Sequence, residues 1–305
     1  CRRRGFAGRA RGAWHHRGML AYRHAFHAGN HADVLKHLVL MQVLAHFNLK
    51  DKGWRYVDTD AGAGGYSLEG EYAHKRDEFA TGIGALWTRD DLPPALAEYR
   101  AFVQAFNGGA GKPLRQYPGS PAFAHHAQRD QDELHLHELH PTDHRILASY
   151  LGTEHGVTVR MDDGFEAIKR ELPPPTRRGL VLIDPPYEIK TEYARTLAAV
   201  REALQRFADG TVLVWLPQLQ LLEAAQLPQR LKNAAGPAKK GWLHAQLTVA
   251  PPRDDRGLGL LGSGMFVLNP PHTLLPMLRE VLPWLAKALG QFDGAGSKLD
   301  HPPGM

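Results

Sequence analysis

Apolar residues recur at helical spacing in "NHADVLKHLVLMQVLAHF", where Val34, Leu35, Leu38, Met41 and Ala45 share one face. Asn30 stands where an N-cap would, and Asp33, three positions on, favours the exposed N–H groups of the first turn. "WRYVDTDAGAGGY" then predicts a short strand that breaks into a glycine turn. From Ser67 to about Gly111 the spacing is helical but less apolar, with breaks at "DDLPP" and "NGGAGK". That pattern predicts a helical insertion over about 67–112. Strand patterns follow at Leu134–Leu139, "GVTVRMDDGF", "LVLID", "GTVLVWLP", "LHAQLTVAP" and "GMFVLNPP". Helical stretches near Asp143–Tyr150, in "FEAIKREL" and around Tyr193–Phe207 separate the first four.

Strands alternating with helices predict an α/β fold, a mostly parallel, doubly wound sheet with helices on both faces. The last two strands share only the Gly-rich loop Arg253–Gly264, so they should add an antiparallel strand at or near one edge. Residues 291–305, with "GAGSKLDHPPGM", offer no apolar face and are expected to form a disordered tail.

Composition narrows this picture modestly. A chain of 305 residues can bury one large α/β core, and a charged fraction of 23% is ordinary for a globular protein. No apolar run approaches the roughly 18–20 residues of a membrane span. Cys1 is the single cysteine, which excludes an internal disulfide or a cysteine metal cage and fits a reducing, cytoplasmic setting. Residues 1–18 carry six arginines and no acid, and they lack apolar periodicity. They are expected to be a basic arm outside the native start, with Met19 the first residue of a folded body at 19–290. Without them the net charge of +5 becomes −1, so the high pI says little about what the folded body binds.

Chemistry concentrates at the predicted strand ends. "DTDAGAGGY", Asp58 to Tyr66, lets backbone N–H groups approach a ligand, but it lacks the G-x-G-x-x-G of a dinucleotide fold and the Gly-Lys-Ser/Thr of a phosphate loop. Acids recur where doubly wound folds bind ligands: Asp58 and Asp60, Glu138, Asp162 and Asp163, and Asp184. A ring of acids suits hydroxyls, amines and a cationic centre. S-adenosylmethionine has all three, whereas a pyrophosphate would be repelled.

"GLVLIDPPYEI" ends a buried strand with an acid, two prolines and a tyrosine. The prolines stop the ladder and stiffen the corner. The Asp184 carboxylate and the Pro185 carbonyl can accept the two hydrogens of an adenine N6 amine, drawing that poor nucleophile towards a tetrahedral nitrogen. Tyr187 can stack on the base, a contact of about 1–3 kcal/mol. Such a corner serves a base that is already loose, as in RNA, because extruding a stacked base costs a few kcal/mol. By itself it leaves open a DNA adenine or protein-glutamine methyltransferase, and a non-catalytic binding protein on the same fold.

"YRHAFHAGNHADVLKH", "DTDAGAG", "YPGSP", "ELHP", "DGF" and "IDPPYE" together resemble the bacterial 23S ribosomal RNA adenine-N6 methyltransferases of the RlmJ type, from Met19 to about Leu289. The resemblance implies a Rossmann-like, S-adenosylmethionine-dependent methyltransferase domain with a helical insertion. Its substrate would be one adenosine of 23S rRNA, protein-free or in an early assembly intermediate, and the protein would be a monomer. By matching motif, His37, Ser120, Glu138, Asp163, Gly164 and Asp184 would contact the cofactor. Asp184 would accept the proton, Tyr22 would touch RNA, and His24 and Lys36 match further active-site positions. Asp60 stands where the family usually has His, and the sequence around it makes Asp58 and Asp60 further cofactor candidates. The spacing of His24, His27, His31 and His37 suits no zinc pattern. The block Tyr22–His31 reads instead as an arm over the cofactor mouth, and Lys36 could meet a phosphate.

Overall fold

The computed structural model describes residues 27–69, 78–252 and 259–304. The expectations for residues 1–18, Tyr22 and His24 lie outside the described residues. Helix α1 (His31–Asn48) begins as its sequence dictates: the Asn30 side chain accepts from the N–H groups of Ala32 and Asp33 at 3.0 and 3.1 Å.

Five strands are parallel. In sheet order they are β7 (Thr211–Gln218), β6 (Gly179–Ile183), β1 (Arg55–Asp58), β4 (Glu133–His137) and β5 (Val157–Arg160). From β1 the chain builds outward through β4 and β5 on one side, then through β6 and β7 on the other. The reversal beside β1 is the switch point at which open α/β sheets form a ligand crevice.

Beyond β7 lies antiparallel β9 (Gly262–Leu268), then β8 (Trp242–Thr248), then β10 (Gly296–Asp300) at the edge. The expected antiparallel strand near one edge is β9, and a second antiparallel strand, β10, forms that edge. That second strand corrects the expectation of a disordered tail. Gly296–Asp300 pairs with His244–Thr248, and Leu299 packs against the core. Its sequence shows one apolar residue in five because the strand borrows its order from β8, through backbone hydrogen bonds that no side-chain pattern reports.

Helices cover both faces. Val34, Leu38, Leu182 and Leu213 share a core with α9 (Leu274–Leu289). On the other face Val57, Val181, Ile183 and Val214 pack beneath α6 (Gly164–Glu171), α7 (Thr191–Arg206) and α8 (Leu222–Ala234). Each fully buried leucine or valine contributes about 1.5–3 kcal/mol. Helices α8 and α9 escape the pattern reading; each carries an internal proline, Pro228 and Pro283, which normally marks a break.

The expected insertion is bracketed by a two-stranded ribbon, β2 (Gly65–Ser67) with β3 (Gln116–Pro118). Its described helices, α2 (Ile83–Leu86) and α3 (Pro94–Phe106), bury Ile83, Leu96, Tyr99 and Val103 in the main core. The insertion thus packs its apolar residues directly onto the domain core. Helices α4 (Ser120–Ala127) and α5 (Pro141–Leu151) complete the set. Among the described residues no helix is long and apolar enough to cross a membrane.

Candidate active site

A cleft of about 1080 Å³ opens beyond the carboxyl ends of the parallel strands. Lys36, His37, Asp60, Ser120, Glu138, Asp163, Gly164, Asp184, Pro185 and Tyr187 all line it. Residues 148 positions apart in sequence thus meet at one wall. Asp58 does not line it, which corrects its expected role. The carboxylate is fully buried beneath the glycine turn and accepts from Ser120 Oγ and Tyr56 Oη, each at 2.6 Å, and from the Asp60 N–H at 3.3 Å. It holds Ser120 and Asp60 in place for whatever occupies the cleft.

The turn itself needs its glycines. Gly62 has φ of +62°, and a Cβ there would stand 2.1 Å from Tyr66 Oη. Its N–H donates to Glu138 Oε2 at 2.7 Å, while the His140 N–H donates to Oε1 at 2.6 Å. Glu138 falls one residue past the end of β4, in the loop and not in the strand. Burial lifts its carboxyl to about 7, against the pull of those two N–H groups. Asp60 is pushed well above the usual carboxylate range by burial and by the neighbouring carboxylates of Glu138, Asp184 and Asp58, although Thr59 Oγ1 donates to it.

The opposite wall is set by caps and rings. Asp163 caps α6, accepting from the Phe165 and Glu166 N–H groups, and it pairs with Arg195, whose guanidinium lies over the Phe165 ring. A Cβ on Gly164 would meet the Thr59 carbonyl at 2.1 Å, so only glycine allows α6 to start this close to β1. His37 is fixed by Tyr117 Oη at 2.7 Å, which is itself 2.7 Å from Tyr99 Oη, and by a stack on Phe123 at 4.8 Å. His27, Asn30 and His31 also line the cleft, while residues 22–26 of the expected arm lie outside the described residues. Burial lowers the His31 imidazole to about 4, so it is neutral at physiological pH.

At the Asp184 corner the structure departs most from expectation. Lys36 is buried and does not reach out for a phosphate. Its ammonium lies 2.5 Å from Asp184 Oδ2 and 2.9 Å from Asp33 Oδ1, and Asp33 in turn accepts from the Gly29 N–H. Burial alone would lower the ammonium; the two carboxylates outweigh it and hold it charged, above the ordinary lysine value. Sequence reasoning registered Asp33 only as a first-turn acid. The i, i+3 spacing of Asp33 and Lys36 was the available signal.

Tyr187 lines the cleft but is only 5% exposed. Its backbone has φ of +52°, a conformation costly for a bulky residue, and its hydroxyl donates to the Trp215 carbonyl at 2.9 Å. Trp215 itself, which also lines the cleft, was not anticipated.

The donor set fits S-adenosylmethionine. Glu138 and Asp60 are acids held high by burial and by nearby carboxylates, a state relieved by the hydroxyls, amines and positive charge that this cofactor carries. Ser120 and the N-terminal backbone of α6 add neutral polar contacts beside them.

Comparison with known proteins agrees. A family model described as "Ribosomal RNA large subunit methyltransferase D, RlmJ" matches residues 51–300. The chain is 46% identical to the ribosomal RNA large subunit methyltransferase J of Haemophilus influenzae, over 92% of this chain and 97% of that protein. It is 43% identical to the Escherichia coli protein of the same name, over 89% and 94%. A Legionella pneumophila protein of solved crystal structure superposes with a TM-score of 0.82 at 32% identity, covering 91% of this chain and 99% of the other. With an acid-lined cleft at the switch point and homology along almost its whole length, this chain belongs to the RlmJ family of ribosomal RNA large subunit methyltransferases.

Proposed function

We propose that the chain transfers a methyl group from S-adenosylmethionine to the N6 amine of one adenosine in 23S ribosomal RNA. The observation that carries this reading is the Asp184–Pro185 corner at the tip of β6, opening into a cleft whose walls are acidic. When bound, the cofactor supplies a methyl group activated by its sulfonium. His37, Asp60, Ser120, Glu138, Asp163 and Gly164 hold it, with Asp58 anchoring two of them from below. The Asp184 carboxylate and the Pro185 carbonyl accept the hydrogens of the amine and turn its lone pair towards the cofactor. Lys36 fixes the Asp184 carboxylate and balances its charge. Asp184 takes the proton that the nitrogen loses. The prolines keep the carbonyl from following the base as it moves.

The substrate is large-subunit RNA free of protein or early in assembly, the enzyme acts in the cytoplasm, and it works as a monomer. By matching motif alone, Tyr22 contacts the RNA and His24 belongs to the catalytic set.

Asp184→Asn separates orientation from proton acceptance, because Asp33 remains to hold Lys36. The expected result is a loss of about 10²–10⁴-fold in turnover, the range of a general base, with the cofactor still bound. Near-full turnover would reject proton acceptance and leave orientation. The assay is transfer of labelled methyl to 23S rRNA from a strain lacking the modification, with duplex DNA and protein as controls.

A further inference from the structure

We infer that Trp215 is a substrate-binding residue: its indole forms the aromatic wall against which the target adenine is positioned at the Asp184 corner. The inference rests on the proposed methylation of adenine and names how the base is held.

Strand parity places the indole. Strands β6 and β7 are in register with Ile183 opposite Val214, and both of these residues face the α6–α8 core. Alternation turns their neighbours Leu182 and Leu213 towards the α1 side. One residue further along each strand, Asp184 and Trp215 come to the α1 side together. The contacts bear this out: the Lys36 ammonium sits 2.5 Å from Asp184 Oδ2 and 5.9 Å from the centre of the Trp215 indole. The indole thus flanks the carboxylate that receives the amine.

The surroundings are those of a base slot. The cleft lining also includes the apolar Pro217, Leu219, Leu221 and Leu260. Past Ile183, β6 has ended, so β7 runs on with a ladder partner only in β9, and Trp215 and Pro217 of that stretch line the cleft. Tyr187 is less free to serve alone. Its hydroxyl is tied to the Trp215 carbonyl and its ring packs on Tyr193 at 4.7 Å. A purely structural tryptophan would be sealed between the two cores it touches. Trp215 instead packs on both and still lines the cleft. A flat, uncharged heterocycle with an exocyclic amine matches an indole face beside a carboxylate.

The test uses the full chain, rRNA lacking the modification, and an RNA fragment carrying 2-aminopurine at the target position, whose fluorescence is quenched by stacking. Trp215→Leu is expected to lower kcat/KM for RNA by about 10- to 100-fold, the range of one lost base–aromatic stack, while cofactor affinity measured by calorimetry stays within about twofold. Trp215→Phe keeps a stacking face and is expected to recover most of the activity and of the probe's response. The inference is overturned if Trp215→Leu retains wild-type kcat/KM, if cofactor affinity falls in parallel with RNA activity, or if the probe responds identically in all three proteins. A wild-type chain that methylates no rRNA overturns the proposed function, and this inference with it; an active wild type with an indifferent Trp215→Leu variant overturns this inference alone.

Discussion

Glu138 accepts two backbone N–H groups, yet burial still lifts its carboxyl to about 7. Its sign can be followed through binding. Below that pH the group is largely protonated and accepts poorly from ribose hydroxyls; above it the buried charge gains most from such donors. Cofactor affinity should therefore weaken as pH falls from 8 to 6, with release of up to about one proton on binding at the lower end. Glu138→Gln should bind less tightly and lose that pH dependence; calorimetry in buffers of different ionisation enthalpy reads both. The same shift acts on folding in the opposite sense. Stability from the neutral carboxyl is full below its ordinary value and is lost as pH rises through about 7. At this scale the sequence announced most of the cleft, since an acid after a strand or a glycine in a turn is a local pattern. It misread Asp58 and Lys36 and overlooked Trp215, because whether a side chain near a strand end faces core, partner or cleft depends on a neighbour far away in the chain.

Elements were legible where their own residues carry the apolar pattern, even when, as in the helix at His31–Asn48 and the strand at Gly179–Ile183, nearly every side is buried. The helix at His31–Asn48, its Asn30 cap and the parallel strands follow from spacing alone, whereas β10 does not. It is a short edge strand whose backbone ladder to β8 supplies the order. Removing residues 291–305 should therefore expose the margin of β8 and strip Leu299 from the core. The expected outcome is a lower melting midpoint, by about 2–4 °C for each kcal/mol lost, and concentration-dependent aggregation on heating. Scanning calorimetry with light scattering would show it. An unchanged midpoint would mean that the strand adds nothing to the fold. Prolines misled in the other direction: Pro228 and Pro283 sit inside helices that tertiary packing holds together despite them.

Across the whole molecule, the described cleft is built from residue 27 onward. A chain shortened to residues 19–305 should bind the cofactor and methylate rRNA within about twofold of the full chain, since every described residue of the cleft lies within that span. Titrations at several salt concentrations check this; a shallower salt dependence in the shortened chain would give those arginines a part in RNA capture. The bridge of Asp33, Lys36 and Asp184 has a consequence for inheritance. One ammonium stands between two carboxylates drawn from the first turn of α1 and the tip of β6. Exchanging Lys36 for a neutral residue would take the ammonium away from both carboxylates, at a cost of about 3–5 kcal/mol for a broken buried pair. In a broad set of homologous chains these three positions should therefore change in concert or stay fixed, so that an ancestral substitution at one would have been tolerated only alongside another.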